Sequence, residues 1–371
     1  MKKEESRMEK ENSNILALSV GRIPMLLTFD DGYAAQAGVM IKSLLDNKYN
    51  NVFYDLYIIT DELDYDNRNK LKEIVNEYEN NTLTILDGNK YSDITEKYGK
   101  LNDNEFFTNS SLYRLIPMLI PEFDKYDKII YSDVDIVVKK DISELYDFNV
   151  ENAYTAGVRH LKHSEHFIRH IEEPLRKKYI YAGLLVMNLK KMREEEYKVR
   201  IIDALTNEKY TIKWFDMDIL NIACNGDVEY LDIKYICMPE AYEVLSKKKE
   251  GEEYYTKEEI DNAFLNPSII HYVGRKKPWK SKYVEYCQEW FFWVKKTPFK
   301  EQYENMEIII NDYIENYKYK YKIYLFKIIP LGIIDLKNTG KKIKVKILKK
   351  ITILKFNRKK YKKMENIEDY D

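Results

Sequence analysis

Short apolar runs that end in acidic turns, alternating with segments of helical period, constrain this chain most. Pro24-Met-Leu-Leu-Thr-Phe29 runs into Asp30-Asp31-Gly32, and Lys128-Ile-Ile-Tyr131 runs into Ser132-Asp133-Val134-Asp135. After Tyr33 the apolar positions Ala37, Met40, Ile41, Leu44 and Leu45 recur at helical spacing. Val52–Thr60 reads as a buried strand, 67–78 as a second helix and Leu83–Leu86 as a third strand. Residues 109–120 read as helical. Strands alternating with helices predict an α/β fold around a mostly parallel sheet covered on both faces. Ligands in such sheets collect at the carboxyl ends of the strands. Both acidic turns fall there.

Farther along, Ala153–Val158 and Tyr181–Met187 read as strands flanking a polar, His-rich segment at 160–179. Helical stretches are expected at Leu189–Leu205 and Trp214–Cys224, and short strands near 228–237. Pro267–His271 reads as a last strand, and Tyr283–Val294 as an aromatic helix that closes the globular part near Pro298. The expected organisation is a flexible N-terminal tail at 1–22, a globular domain at 23–298 and a helical, basic C-terminal extension at 299–371. A hydrophobic fraction of 44% supports a packed core and excludes global disorder.

Cys224, Cys237 and Cys287 show neither disulfide nor metal spacing, so buried structural thiols in a reducing compartment are expected. The N-terminal Met1–Asn14 has alternating charge and no apolar core of a signal, and no apolar run is long enough to span a bilayer. A cytoplasmic location follows as the expectation. The net charge of −1 conceals an asymmetry: Lys337 to Lys363 holds thirteen basic residues and no acidic one, which leaves −14 for the rest. Within this run Ile343, Ile347, Ile351 and Leu354 fit a helical stripe. A basic apolar helix suits an anionic membrane surface, here the inner face of the cytoplasmic membrane. Nucleic acid is not an expected partner, because the acidic body repels phosphate and no binding motif is visible.

Two motifs carry chemistry. Asp133-Val134-Asp135 can place two hard carboxylates on one Mn²⁺ or Mg²⁺, which would neutralise phosphate oxygens. His271-Tyr-Val-Gly274-Arg-Lys-Lys277-Pro278-Trp279 offers an imidazole at a strand end, a glycine that permits close backbone approach and a lysine charge for phosphate. His160, His163, His166 and His170 do not share one helical face, so they read as a polar insertion over the acceptor side and not as a metal site.

Taken together these residues resemble the family 8 retaining glycosyltransferases, the group of bacterial lipopolysaccharide galactosyl- and glucosyltransferases and glycogenin, over about Pro24 to Pro298. The resemblance implies a Rossmann-like, glycosyltransferase A-type catalytic domain at 23–298. It implies that Asp133, Asp135 and His271 hold manganese, and that Gly274 and Lys277 close over a diphosphate. Leu27-Thr-Phe-Asp30-Asp-Gly-Tyr33 is similar to the family's first nucleotide-binding turn, with Asp30 on uracil and Tyr33 stacked on the base. Ser111-Leu-Tyr-Arg114 resembles the segment whose arginine reaches donor sugar or phosphate. Tyr181-Ala-Gly183 resembles the strand under the donor sugar, and Asp216-Met217-Asp218 the helix start whose first aspartate holds sugar hydroxyls. Asp216, Arg114 and Lys277 are thus the implied catalytic set. The implied donor is a UDP-hexose (glucose or galactose), and the implied acceptor is a glycan or lipid-linked saccharide in cell-surface polysaccharide or lipopolysaccharide synthesis.

Three positions depart from the family pattern: Met217 replaces a usual Gln, Tyr181 a usual Asn, and Gly32 a common Asn. Met can neither donate a hydrogen bond nor attack as a conventional nucleophile. Two alternatives stand beside the transferase. One is a non-catalytic, nucleotide-sugar-binding or membrane-tethered partner protein. The other arises separately, because Asp133-Val-Asp-Ile-Val137 also resembles the strand-end start of a haloacid-dehalogenase-type phosphatase, with Asp133 as nucleophile.

Overall fold

The computed structural model describes residues 21–91, 109–280 and 283–317, together with strand residues 320–325, 329–335, 342–347 and 351–357. It divides into two units, Met1–Lys277 with Val284–Tyr303, and Pro278–Tyr283 with Glu304–Asp371. Most of the expected tail, residues 1–20, lies outside the described residues. Arg22 already opens the first strand.

In the first unit the order is β1 (Arg22–Thr28), α1 (Ala34–Asn47), β2 (Phe53–Thr60), α2 (Tyr65–Asn76), β3 (Thr82–Asp87), β4 (Lys128–Ser132) and β5 (Ile136–Val138). There follow β6 (Thr155–Arg159), β7 (Ile180–Asn188), α3 (Leu189–Glu194), α4 (Tyr197–Thr206), α5 (Phe215–Cys224), β8 (Val228–Leu231), α6 (Lys257–Leu265), β9 (Ile269–His271) and α7 (Cys287–Val294). Seven strands pair in the order β3-β2-β1-β4-β7-β6-β8. Neighbours are parallel except where β7 meets β4 and β6, so β7 alone runs against the others. The expected mostly parallel sheet is present. Its central strands are apolar along their middles, as burial on both faces requires: Met25, Leu26, Leu27, Ile129, Ile130 and Tyr131 are fully buried.

Local chemistry sets the element ends. Asp64 caps α2 through Asp66 N–H, and Thr256 with Glu259 forms a reciprocal capping box on α6, each worth about 1 kcal/mol. The helix expected over 109–120 survives only at Asn109–Leu112 and then breaks into short 3₁₀ turns. Pro117 and Pro121 cannot donate to a continuing helix. The stretch expected from 189 to 205 is likewise two helices, divided where Glu196 takes a left-handed backbone (φ 49°). The three cysteines are free and buried, as expected.

The second unit corrects the expectation of a helical extension. A helix, α8, runs from Glu304 to Tyr317, but four strands follow: β10 (Lys320–Leu325), β11 (Ile329–Asp335), β12 (Lys342–Ile347) and β13 (Ile351–Asn357). They form an antiparallel sheet in that order. Lys342-Ile-Lys-Val-Lys-Ile347 alternates with period two and is rich in β-branched residues, which favours a pleated strand over the helical stripe. Of the basic run, residues 337–341, 348–350 and 358–363 lie outside the described residues.

Candidate functional site

β1 and β4 are adjacent and parallel, with Leu27 opposite Ser132, so the turns carrying Asp30 and Asp133 leave the sheet side by side. Between them lies a cleft lined by Asp30, Tyr33, Ser111, Arg114, Asp133 and Asp135. Burial, reinforced by Asp135, Asp30 and Asp133, pushes the Tyr33 phenol up to about 12, so it stays protonated.

A small antiparallel ribbon completes the cluster. β5 pairs with β9, Ile136 opposite His271, while Tyr272 N–H donates to the Asp135 carbonyl at 2.9 Å. This register brings His271 Nε2 to 2.9 Å from Asp135 Oδ1 and 3.6 Å from Asp133 Oδ2. One ligand atom from each residue lies within 4.8 Å of the others, the sole such grouping among the described residues. Two hard carboxylates and an imidazole converging at this distance fit a divalent cation such as Mn²⁺ or Mg²⁺.

Two cations offset the carboxylates. Lys277 Nζ lies 2.6 Å from Asp135 Oδ2 and also donates to the Tyr272 carbonyl. Burial opposes ionisation of Asp135, but His271 and Lys277 outweigh it and hold the carboxyl below its ordinary range. Arg114 bridges two acids, with Nη2 3.0 Å from Asp133 and Nη1 3.0 Å from Asp216. Its guanidinium lies 4.7 Å from the centre of the Tyr131 ring, and Nη1 donates to the Ala182 carbonyl at 3.3 Å. Burial would lower its pKa, yet Asp133 and Asp216 raise it, so the charge is secure. Burial also raises the Asp216 carboxyl; Arg114 works against this and Asp133 with it.

The reversed strand β7 supplies the floor. Gly183 accepts the Asp133 N–H at 2.8 Å, and a Cβ at this position would stand 2.4 Å from His271 Cε1 and 3.0 Å from Asp133 Oδ2. Gly183→Ala should therefore displace His271, weaken Mn²⁺ binding about 10-fold or more, and cost about 1–3 kcal/mol of stability. A metal titration with denaturant unfolding checks this; unaltered Mn²⁺ affinity would contradict it. A glycine inside an apolar strand is itself the signal that marks such a close approach.

Of the other expected site residues, Asp216 and Met217 stand at the start of α5, with Asp216 on Arg114. Gly274 has a left-handed φ of 80°, and a Cβ there would meet Glu240 at 2.5 Å. It lines a second groove with Met217 and Tyr181, not the carboxylate cleft. The histidines between 160 and 170 are drawn to separate partners. His163 pairs with Glu253, and His160 packs on Tyr181 with ring centres 4.7 Å apart. His170 Nε2 lies 2.8 Å from buried Asp218, which also accepts the backbone N–H of Lys213 and Trp214 and the Tyr179 hydroxyl. Sequence reasoning missed this latch, which fixes the helix start bearing Asp216; the His and Asp stand 48 residues apart, and no spacing pairs them.

A mostly parallel α/β sheet whose strand ends gather carboxylates, an imidazole and two cations defines a glycosyltransferase of the A-type fold. The chain matches the glycosyl transferase family 8 model over residues 24–283, more than half its length, and belongs to that family. It is similar to the lipopolysaccharide 1,2-glucosyltransferase of Escherichia coli, 29% identical over 261 residues that cover 67% of this chain and 71% of the relative. It is also similar to general stress protein A of Bacillus subtilis (strain 168), 24% identical over 72% of this chain and 91% of the relative. Among solved structures, the apo WbbM bifunctional glycosyltransferase aligns with a TM-score of 0.65 and 25% identity over 77% of this chain and 52% of that chain. This chain thus spans about half of WbbM. The galactosyltransferase LgtC in complex with donor and acceptor sugar analogues shares the fold, with a TM-score of 0.59 and 18% identity over 76% of this chain and 100% of that chain. Family membership displaces the phosphatase alternative.

Proposed function

We propose that this chain is a metal-dependent, retaining hexosyltransferase that moves glucose or galactose from a UDP-sugar to a hydroxyl of a glycan or lipid-linked saccharide. The observation that carries the reading is the meeting of Asp133, Asp135 and His271 with Lys277 and the Arg114–Asp216 pair at the strand ends. Asp30 and Tyr33 would hold the nucleotide, and Gly274 would let the loop approach the diphosphate. Asp133, Asp135 and His271 would hold Mn²⁺ or Mg²⁺, which when bound neutralises diphosphate charge. Arg114 and Lys277 add fixed positive charge in a partly dry site, where such preorganisation contributes most. Asp216 would orient sugar hydroxyls.

In the reaction the bond from the anomeric carbon to the phosphate oxygen breaks, and a bond to the acceptor oxygen forms on the same face. The acceptor proton passes to the departing phosphate, and UDP leaves. Met217 carries no carboxylate, hydroxyl or amide oxygen to attack the anomeric carbon, which favours this same-face course over a covalent enzyme intermediate. The name of the Escherichia coli relative supports a place in lipopolysaccharide or other cell-surface polysaccharide synthesis. No helix among the described residues is long and apolar enough to cross a membrane. Contact of 337–363 with the anionic inner face of the cytoplasmic membrane belongs to the same proposal.

Incubating the purified chain with UDP-glucose or UDP-galactose should release UDP in the presence of Mn²⁺, stop on chelation and resume when Mn²⁺ is restored. Failure to bind either donor would overturn the reading. Tight binding without release or transfer, across a panel of acceptors, would favour the non-catalytic partner that Met217 and Tyr181 suggest.

A further inference from the structure

The second groove opens beside Met217 and is walled by residues from several stretches: His160, Ser164 and Phe167; Trp214 and Met217; Ala241 and Val244; and Gly274. Phe167, Trp214 and Val244 are among the exposed large hydrophobics of the chain, and all three sit on this one feature. Phe167 and Trp214 meet edge to face with ring centres 6.0 Å apart. Contiguous apolar exposure of this kind marks a binding surface. Met217 lines the groove, and its chain neighbour Asp216 pairs with Arg114 of the carboxylate cleft, which sets the groove beside the transferase site.

Its polar groups are mostly spent inside the protein. Trp214 Nε1 donates to the Phe167 carbonyl at 3.0 Å, and Ser164 Oγ donates to the Leu161 carbonyl at 2.9 Å. The Tyr181 hydroxyl faces Ser164 Oγ at 3.4 Å, and His163 is held by Glu253. What is left is Glu240 and the His160 ring, whose Nδ1 is buried without a hydrogen-bond partner. Burial lowers His160 to about 4, so it faces the groove neutral. Among the described residues no Lys or Arg lines the groove, so an anionic sugar would meet Glu240 with no counter-charge. A methyl group meets this apolar wall with no hydrogen bond to satisfy, whereas a hydroxyl turned against it would go unpaired.

We propose that this groove receives the acceptor as a neutral sugar carrying a methyl group, either an N-acetylhexosamine or a 6-deoxyhexose, with the methyl-bearing face against Phe167, Trp214 and Val244. This rests on the transferase reading for the word acceptor, while occupancy of the groove can be read on its own. Direct binding of three glycosides to the full chain with Mn²⁺ and UDP tests it: methyl N-acetylglucosaminide, methyl fucoside and methyl glucoside. One or both methyl-bearing sugars should bind roughly 10-fold tighter than the glucoside, as expected for one added apolar group. Which of them does so identifies the source of the methyl. Phe167→Ser and Val244→Ser, both at exposed positions, should erase the preference and leave UDP binding unchanged. Equal or tighter binding of the glucoside, no binding of any of the three at tens of millimolar, or a preference intact in both variants would overturn the proposal. Loss of UDP binding in the parent chain would instead count against the transferase reading.

Discussion

Asp135→Asn should reduce metal-stimulated UDP release by about 1,000-fold or more, near 4 kcal/mol of transition-state stabilisation. The side chain keeps its shape, so the fold should persist. What changes is charge: His271 Nε2 at 2.9 Å and Lys277 Nζ at 2.6 Å both lose their anionic partner, and the three-ligand group loses one carboxylate. The measurement is kcat/KM for UDP-sugar hydrolysis across a Mn²⁺ titration, alongside calorimetric Mn²⁺ affinity. Turnover near the parent value at saturating Mn²⁺ would remove Asp135 from the metal role.

Arg114→Met should be the most destabilising single change at the site, by about 3 kcal/mol, because it leaves the buried Asp216 carboxylate without its cation and takes one from half-buried Asp133. Arg114 spans Asp133 and Asp216 at 3.0 Å each, and burial already raises the Asp216 carboxyl. Without the guanidinium that carboxyl should rise further and take up a proton. Arg114→Lys should recover only part of the loss, since an ammonium cannot fork between two acids. Mn²⁺ should restore some stability to the Met variant by meeting the charge of Asp133. Denaturant midpoints with and without metal give the answer; a loss below about 1 kcal/mol would show that the bridge matters little to folding.

Much of this arrangement was legible in the sequence because it depends on short-range patterns. Continuous apolar runs marked β1, β2 and β4, and the acidic turns at their ends located the cleft containing Asp30, Asp133 and Asp135. The motif from His271 to Lys277 was readable as a unit, and the ribbon of β5 and β9 then sets His271 on Asp135. Contacts made by distant residues were not legible. Nothing in the spacing of Arg114 and Asp216 says that one guanidinium serves both acids, and nothing ties His170 to Asp218. The tail failed for a different reason. Ile343, Ile347 and Ile351 satisfy a helical stripe, while the same stretch also alternates Lys with Ile or Val. Where two periods coexist in a short segment, β-branching favours the strand.

The latch between His170 and Asp218 has a consequence for exchanging parts between relatives. The segment at 160–179 presents one wall of the apolar groove, which makes it the natural piece to graft when a different acceptor is wanted. Yet its far end is tied to the helix start that carries Asp216 and Met217. A graft that replaced His170 and retained Asp218 would leave a buried carboxylate without its imidazole and loosen the donor side in the process. Groove residues such as His160 and Phe167 can be exchanged as a block; His170 has to travel with Asp218. The separable module is therefore smaller than the loop that contains it.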